Sequence, residues 1–239
     1  MAIEQILPNV YRIGMGYVSA YLIAQDEVTI IDTGLPKHWD TLANALSQAG
    51  REPKDLRHVA ITHDHVDHTG SAAAVFENTQ AAIYIHPLDA PVLRGERPQR
   101  GPNQQTLVNR VLGSIIHRVA HPELNPVQQL HEINDGDDLP AAGGMKAIHT
   151  PGHTPGHLAY LWHHDGGVLF AGDAAAHVLG LGPPVGIVGG IFSEDMAAAK
   201  DSFRKLAGLE FDVACFGHGG VLKGKAHSAF RRTVEKMAK

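Results

Sequence analysis

Residues 56–70 read LRHVAITHDHVDHTG, an apolar β-rich run followed at once by three histidines and two aspartates within positions 63 to 68. A strand that ends this way restricts the fold. So many titratable side chains are costly in an apolar layer, so they must either form a polar turn or converge on a cation. The pattern recurs in three more runs: GMKAIHT (144–150) leads into His153, GVLFAGD (167–173) ends on Asp173, and DVACFGH (212–218) ends on His218. Four strands thus carry His or Asp at their C-terminal ends, the edge at which open α/β sheets bind ligands. Taken singly, each such residue reads equally well as a strand terminus, a turn residue or a cap. Their joint occurrence carries the argument.

Between and before these runs, VSAYLIA (18–24) and VTIID (28–32) read as paired strands around Gln25 to Glu27, and AAIYIH (81–86) and LAYLW (158–162) as further strands. Helical spacing appears over 37–49, stopped by Gly50, over an Ala-rich piece from Thr69 to Phe76, over 194–206 with Ser193 as N-cap, and over 225–237. Strands alternating with helices predict an α/β layer architecture. The 239 residues fit one domain spanning 1–239. Residues 87–130 break the rhythm as an insert with one amphipathic piece at 106–119, and GLGPPVGIVGG (180–190) is a second irregular segment.

The formal net charge of −5 disfavours a nucleic-acid partner, which would require a basic stripe. A lone cysteine, Cys215, excludes an intrachain disulfide framework and fits a reducing cytoplasm. The N-terminal stretch lacks the pattern of a signal peptide, and no apolar run approaches the ~20 residues that span a bilayer. The expectation is a cytoplasmic protein without membrane contact.

Neutral imidazole and carboxylate suit borderline divalent ions such as zinc. His63, His65, Asp67, His68, His153, Asp173 and His218 exceed the needs of one tetrahedral ion and match two ions sharing a bridging carboxylate. In an extended turn His63 and His65 face one side, while Asp67 and His68 address a neighbouring point as a helix begins.

The set THDHVDHTG, TPGHTPGH, FAGDA and FGHGG, with IDTG at 31–34, resembles the metallo-β-lactamase-fold hydrolases of the glyoxalase II or lactonase-like branch, from Val10 to about Gly219. The resemblance implies a four-layer αβ/βα sandwich with the metal site at one edge of its two sheets. It implies a first site of His63, His65 and His153, and a second of Asp67, His68 and His218, bridged by Asp173. Asp32 would support the site from outside the ligand set, or simply start a turn. Asp64 and His157 are flanking residues of the same kind, with support ranked above ligation for His157.

The reaction expected is dinuclear hydrolysis by a metal-bridging hydroxide, with two zinc ions, or manganese, iron or cobalt, and with Asp67 as proton shuttle. The substrate expected is a small ester, lactone or thioester. Leu93, Leu107, Ile115, Pro183, Val185 and Ile191 would wall its pocket, and Val108, Val111, Leu112 and Ile115 could instead form a homodimer contact. GDAAAH departs from the GDxLF of glyoxalase II, and Ala174 to His177 replace the tyrosine usual in lactonases. His177 is therefore either an oxyanion or substrate contact or a plain loop histidine. An iron-dependent persulfide dioxygenase and a phosphodiesterase are the alternatives on the same fold.

Overall fold

A computed structural model describes residues 3–99, 124–177, 185–190 and 192–237. The first sheet runs in chain order: β1 (Glu4–Leu7), β2 (Val10–Met15), β3 (Val18–Ile23), β4 (Val28–Ile31), β5 (Leu56–Ala60), β6 (Ala82–Ile85) and β7 (His131–Glu132). β1 to β4 pair antiparallel; β4 to β7 pair parallel. Parallel neighbours need a crossover, and helices supply two of them. α1 (Trp39–Gln48) lies between β4 and β5, and α2 (Val66–Thr69) and α3 (Ala72–Thr79) between β5 and β6, with α4 (Ala90–Leu93) following β6.

The second sheet contains β8 (Asp138–Leu139), β9 (Met145–His149), β10 (Leu158–Trp162) and β11 (Val168–Phe170). A separate ribbon follows, made of β12 (Ala176–His177) and β13 (Val185–Gly186). β14 (Val213–Cys215) and β15 (Leu222–Lys223) complete the second sheet in the order β15-β14-β11-β10-β9-β8. Its one parallel pair, β11 with β14, is bridged by α5 (Met196–Ala207), and α6 (His227–Met237) ends the described chain.

Alternation along the strands builds the layers. In β3, Val18, Ala20 and Leu22 join a core with Leu42 and Leu46 of α1 and Val75 of α3, while Tyr21 and Ile23 face the other way. In β10, Leu158, Tyr160 and Trp162 meet those residues between the sheets, and Ala159 and Leu161 turn outward onto Phe203 of α5 and Phe230 of α6. Helix, sheet, sheet, helix is the four-layer sandwich expected. Among the described residues no helix is long and apolar enough to cross a membrane.

Several expectations shift. β1 and β2 carried no strand signal because Val10, Ile13 and Met15 are buried without strict alternation. The Ala-rich helix is two helices: Gly70 packs against Pro36 with no room for a side chain, and Ser71 Oγ donates to Leu35 O at 2.7 Å. The N-cap of α5 is Asp195, not Ser193, because the Glu194 and Asp195 N–H groups are drawn to the carbonyls of His153 and Gly152. Leu93 and Val185, expected in a pocket wall, are buried in the cores on the two outer sheet faces. The piece 106–119, with its pocket and dimer roles, and positions Pro183 and Ile191 lie outside the described residues.

Polar struts cross the apolar interior. The buried Tyr21 hydroxyl, from the first sheet, donates to Phe216 O at 2.7 Å and accepts from Phe216 N at 3.0 Å, just beyond β14 of the second. Tyr21→Phe strands both backbone groups, so it should lower unfolding free energy by about 1–3 kcal/mol with the fold retained, as read from urea denaturation.

Candidate metal centre

The chain leaves β5 at Thr62 and is caught at once by Asp32, which follows β4. The Asp32 carboxylate accepts from Thr62 N at 2.8 Å and from Thr62 Oγ1 at 2.8 Å, and its Oδ2 lies 2.8 Å from His68 Nδ1. Asp32 adopts φ +60°, a conformation aspartate tolerates better than most residues. Thr33 then fixes the far end of α2, donating from N and Oγ1 to His68 O at 2.7 and 3.0 Å. The crowded stretch is therefore a short, tightly tied helix entry, and Asp32 is a support rather than a mere turn residue.

The structure brings all seven expected side chains together. Ligating atoms of His63, His65 and His153 gather within 4.8 Å of one another, as do those of Asp67, His68 and His218, and those of His63, His68 and Asp173. Asp173 lies between the first two groups: its carboxylate is 3.4 Å from His153 Nε2, 3.6 Å from His68 Nε2 and 3.2 Å from His218 Nε2. His65 Nδ1 and His153 Nε2 approach to 2.9 Å. His63, His68, His153 and Asp173 are buried, whereas the Asp67 and His218 side chains are 18% and 29% exposed. The cluster is open to solvent at Asp67 and His218, and His65 is partly exposed as well.

The donor set fits divalent cations. His63 Nε2, His68 Nε2 and Asp173 Oδ1 are buried and without a hydrogen-bond partner, a costly arrangement unless something else satisfies them. Charge points the same way. Burial opposes a proton on His68, yet Asp173, Asp32 and Asp67 outweigh it and push its pKa up to about 10. Burial and the neighbouring His68 and His153 hold His63 well below the usual imidazole range. Burial likewise opposes the charge of Asp173, but His68 and His218 keep it ionised. The centre calls for positive charge among its carboxylates and offers neutral imidazoles beside them.

His157 is a support. Its Nδ1 faces Thr150 Oγ1 at 2.8 Å and its Nε2 accepts the Asp173 N–H at 2.9 Å, so both ring nitrogens are committed. Its ring stacks on His63 with centroids 5.1 Å apart. Asp64 is buried and belongs to none of the three groups. His177 in β12 also stands outside them, its ring against Phe216 and its backbone against Gly219. Gly217 explains the GH pair of the sequence: a methyl there would overlap the Asp173 carboxylate and the His68 ring.

Other contributors carried no sequence signal. Tyr17, in the β2–β3 turn, accepts from His218 Nδ1 through its carbonyl at 2.9 Å and stacks its ring on that imidazole, 5.8 Å between centroids. Asp89 binds the turn that bears His153, accepting from Thr154 Oγ1 and Gly156 N. Only the spacing of these residues from the site in three dimensions reveals them. Because Asp32 orients His68, Asp32→Ala should weaken divalent-ion affinity by about 10- to 100-fold, measured by competition with a chromogenic chelator.

Known proteins resemble this chain in sequence and in fold. The probable metallo-hydrolase YflN of Bacillus subtilis is 33% identical over 224 residues, covering 87% of this chain and 80% of the relative. An N-acyl homoserine lactonase of a Bacillus species is 28% identical, over 75% of this chain and 62% of its own length. A subclass B3 metallo-β-lactamase with an active-site glutamic acid shares the fold, with a TM-score of 0.72 at 22% identity, over 100% of this chain and 89% of that one. The model of the metallo-β-lactamase superfamily matches residues 13–218. The chain therefore belongs to the metallo-β-lactamase superfamily, with a metallo-hydrolase as a relative and a cluster of His and Asp side chains suited to metal.

Proposed function

We propose that the protein is a dinuclear metal-dependent hydrolase acting on a small, uncharged ester, lactone or thioester. One observation carries the reading: three buried polar atoms, His63 Nε2, His68 Nε2 and Asp173 Oδ1, converge without hydrogen-bond partners at the centre of seven ligand-type side chains. His63, His65 and His153 would hold one ion, Asp67, His68 and His218 the other, and Asp173 both. Zinc is the first choice, since neutral imidazole and carboxylate suit a borderline divalent ion. Such ions, when bound, supply Lewis acidity and an activated water.

The chain's own residues divide the remaining work. Asp67 stands at the solvent-facing side, its Oδ2 3.5 Å from His218 Nε2 and 4.0 Å from His68 Nε2. A carboxylate there takes the proton released by attack and delivers it to the leaving oxygen or sulfur. Asp32 and His157 hold His68 and Asp173 in place, so little reorganisation accompanies the reaction. His177, beside the loop that follows His218, is a candidate substrate contact.

The substrate class rests on the mouth. Tyr17, Leu88 and Phe192 are the large apolar side chains left exposed among the described residues, at 61%, 48% and 48%. Tyr17 stacks on His218, and Phe192 precedes Ser193 and Glu194, whose N–H bonds to His153 O. The exposed Tyr17 ring on His218 and a net charge of −5 favour an uncharged amphiphile over a polyanion. The lactonase relative is in keeping with this choice. The single cysteine, buried in β14, accords with a reducing cytoplasm.

Elemental analysis should find two divalent ions per chain, and chelation should abolish turnover of a lactone, ester and thioester panel. Asp67→Ala should reduce that turnover by at least about 100-fold. One iron per chain, with oxygen consumed on a persulfide, would overturn the reading.

A further inference from the structure

His63 and His65 leave β5 of the first sheet, whereas His153 comes from the turn between β9 and β10 of the second. Their convergence therefore depends on how firmly residues 150–157 are fixed relative to the first sheet. We propose that Asp89 is the positioning residue that fixes them: its buried carboxylate ties the His153 turn to the first-sheet half of the molecule. The inference rests on the two-ion reading above.

Asp89 follows β6 and is wholly buried. Its backbone is anchored in its own half by donation from Asp89 N to His86 O at 3.0 Å. Its carboxylate reaches across to the turn, where Oδ2 accepts from Thr154 Oγ1 at 2.6 Å and Oδ1 from Gly156 N at 2.9 Å. Thr154 is itself wholly buried, and Gly156 leaves room for the carboxylate only because it lacks a side chain. The two bonds fall on either side of Pro155, immediately after His153.

The opposite flank of the turn is held from the second-sheet half. Asp195 N donates to Gly152 O at 2.9 Å, Glu194 N to His153 O at 3.2 Å, and Ser202 Oγ to Pro151 O at 2.7 Å. Those bonds move with the second sheet. From the first-sheet half, Thr62 O holds Leu158 N at 2.7 Å just past the turn, and Asp89 holds the turn itself beside His153. A buried carboxylate is expensive, and a neutral side chain would close a merely structural turn at lower cost. Two short bonds from one rigid planar group resist displacement better than one, which suits an imidazole that must meet two others.

Divalent zinc titrated into the metal-free protein against a chelator should resolve two binding steps, with the step lost in His153→Ala marking the His63, His65 and His153 site. Asp89→Ala should weaken that step by about 10- to 100-fold and leave the other within about threefold. Asp89→Asn, which keeps one acceptor oxygen, should recover part of the loss. Thr154→Val removes one bond without touching the acid and should act in the same direction, which keeps the test open if Asp89→Ala misfolds. Hydrogen exchange of the metal-free Asp89→Ala chain should quicken at residues 153–157 and not at 63–68. Equal weakening of both steps, an unchanged His153 step, or unaltered exchange at 153–157 would overturn the assignment. A wild-type chain that binds no zinc would instead overturn the two-ion reading, and this inference with it.

Discussion

Asp173 is buried with its carboxylate among three imidazoles, those of His68, His153 and His218, and the rest of the structure is arranged around that burial. A carboxylate removed from water must be met by positive charge or by hydrogen bonds. Here the second strand-end acid, Asp32, stands behind His68 and adds to the negative potential instead of relieving it. The carboxylate behind His68 thus makes the centre more favourable for a cation. A divalent ion answers both deficits at once, supplying charge to the carboxylates and an electron-pair acceptor to the orphaned nitrogens of His63 and His68.

The donors come from both sheets, so the site exists only where two strand edges coincide. The apolar layer between the sheets sets their spacing but, being non-directional, does not fix their register along the strands. Directional bonds at the site end do. Tyr160 of β10 donates to Ile61 O at 2.7 Å, and Leu158 N donates to Thr62 O at 2.7 Å. Both acceptors lie just before His63. The second sheet is therefore pinned to the first within two residues of a ligand-type side chain, and Tyr21 repeats the device at Phe216, two residues before His218.

Much of this was legible in the sequence. The layer order follows from alternating apolar runs, and the seven side chains announce themselves because each is a His or Asp directly after such a run. What escaped has a common physical cause. β1 and β2 have burial set by neighbours rather than by alternation, and the Ala-rich helix breaks where Gly70 meets Pro36, a contact between segments far apart in the chain. The cap of α5 moved from Ser193 to Asp195 because the preceding amides found better partners on the His153 turn. The supports Asp89, Thr150 and Tyr17 look like ordinary loop or strand-end residues, since their function lies in what they touch. His157 was visible as a histidine, but only its two committed nitrogens separate a support from a ligand.

The asymmetry of the cluster also bears on chemistry. Its floor is made of buried residues whose outer atoms are already engaged: His68 by Asp32, His63 by Thr62, and the Asp173 backbone by His157. Its partly exposed members are His65, Asp67 and His218, and His218 is steadied by the Tyr17 carbonyl. Rigid donors below and a partly solvated carboxylate above are what a hydrolase requires, because the charge that develops on the substrate must meet a preorganised wall while the proton must travel. A carboxylate as enclosed as Asp173 is held ionised by its neighbours and is poorly suited to giving and taking protons. Asp67, whose side chain water can reach, is the member of the set on which the proposed proton transfer falls in addition to its place among the ligand-type side chains.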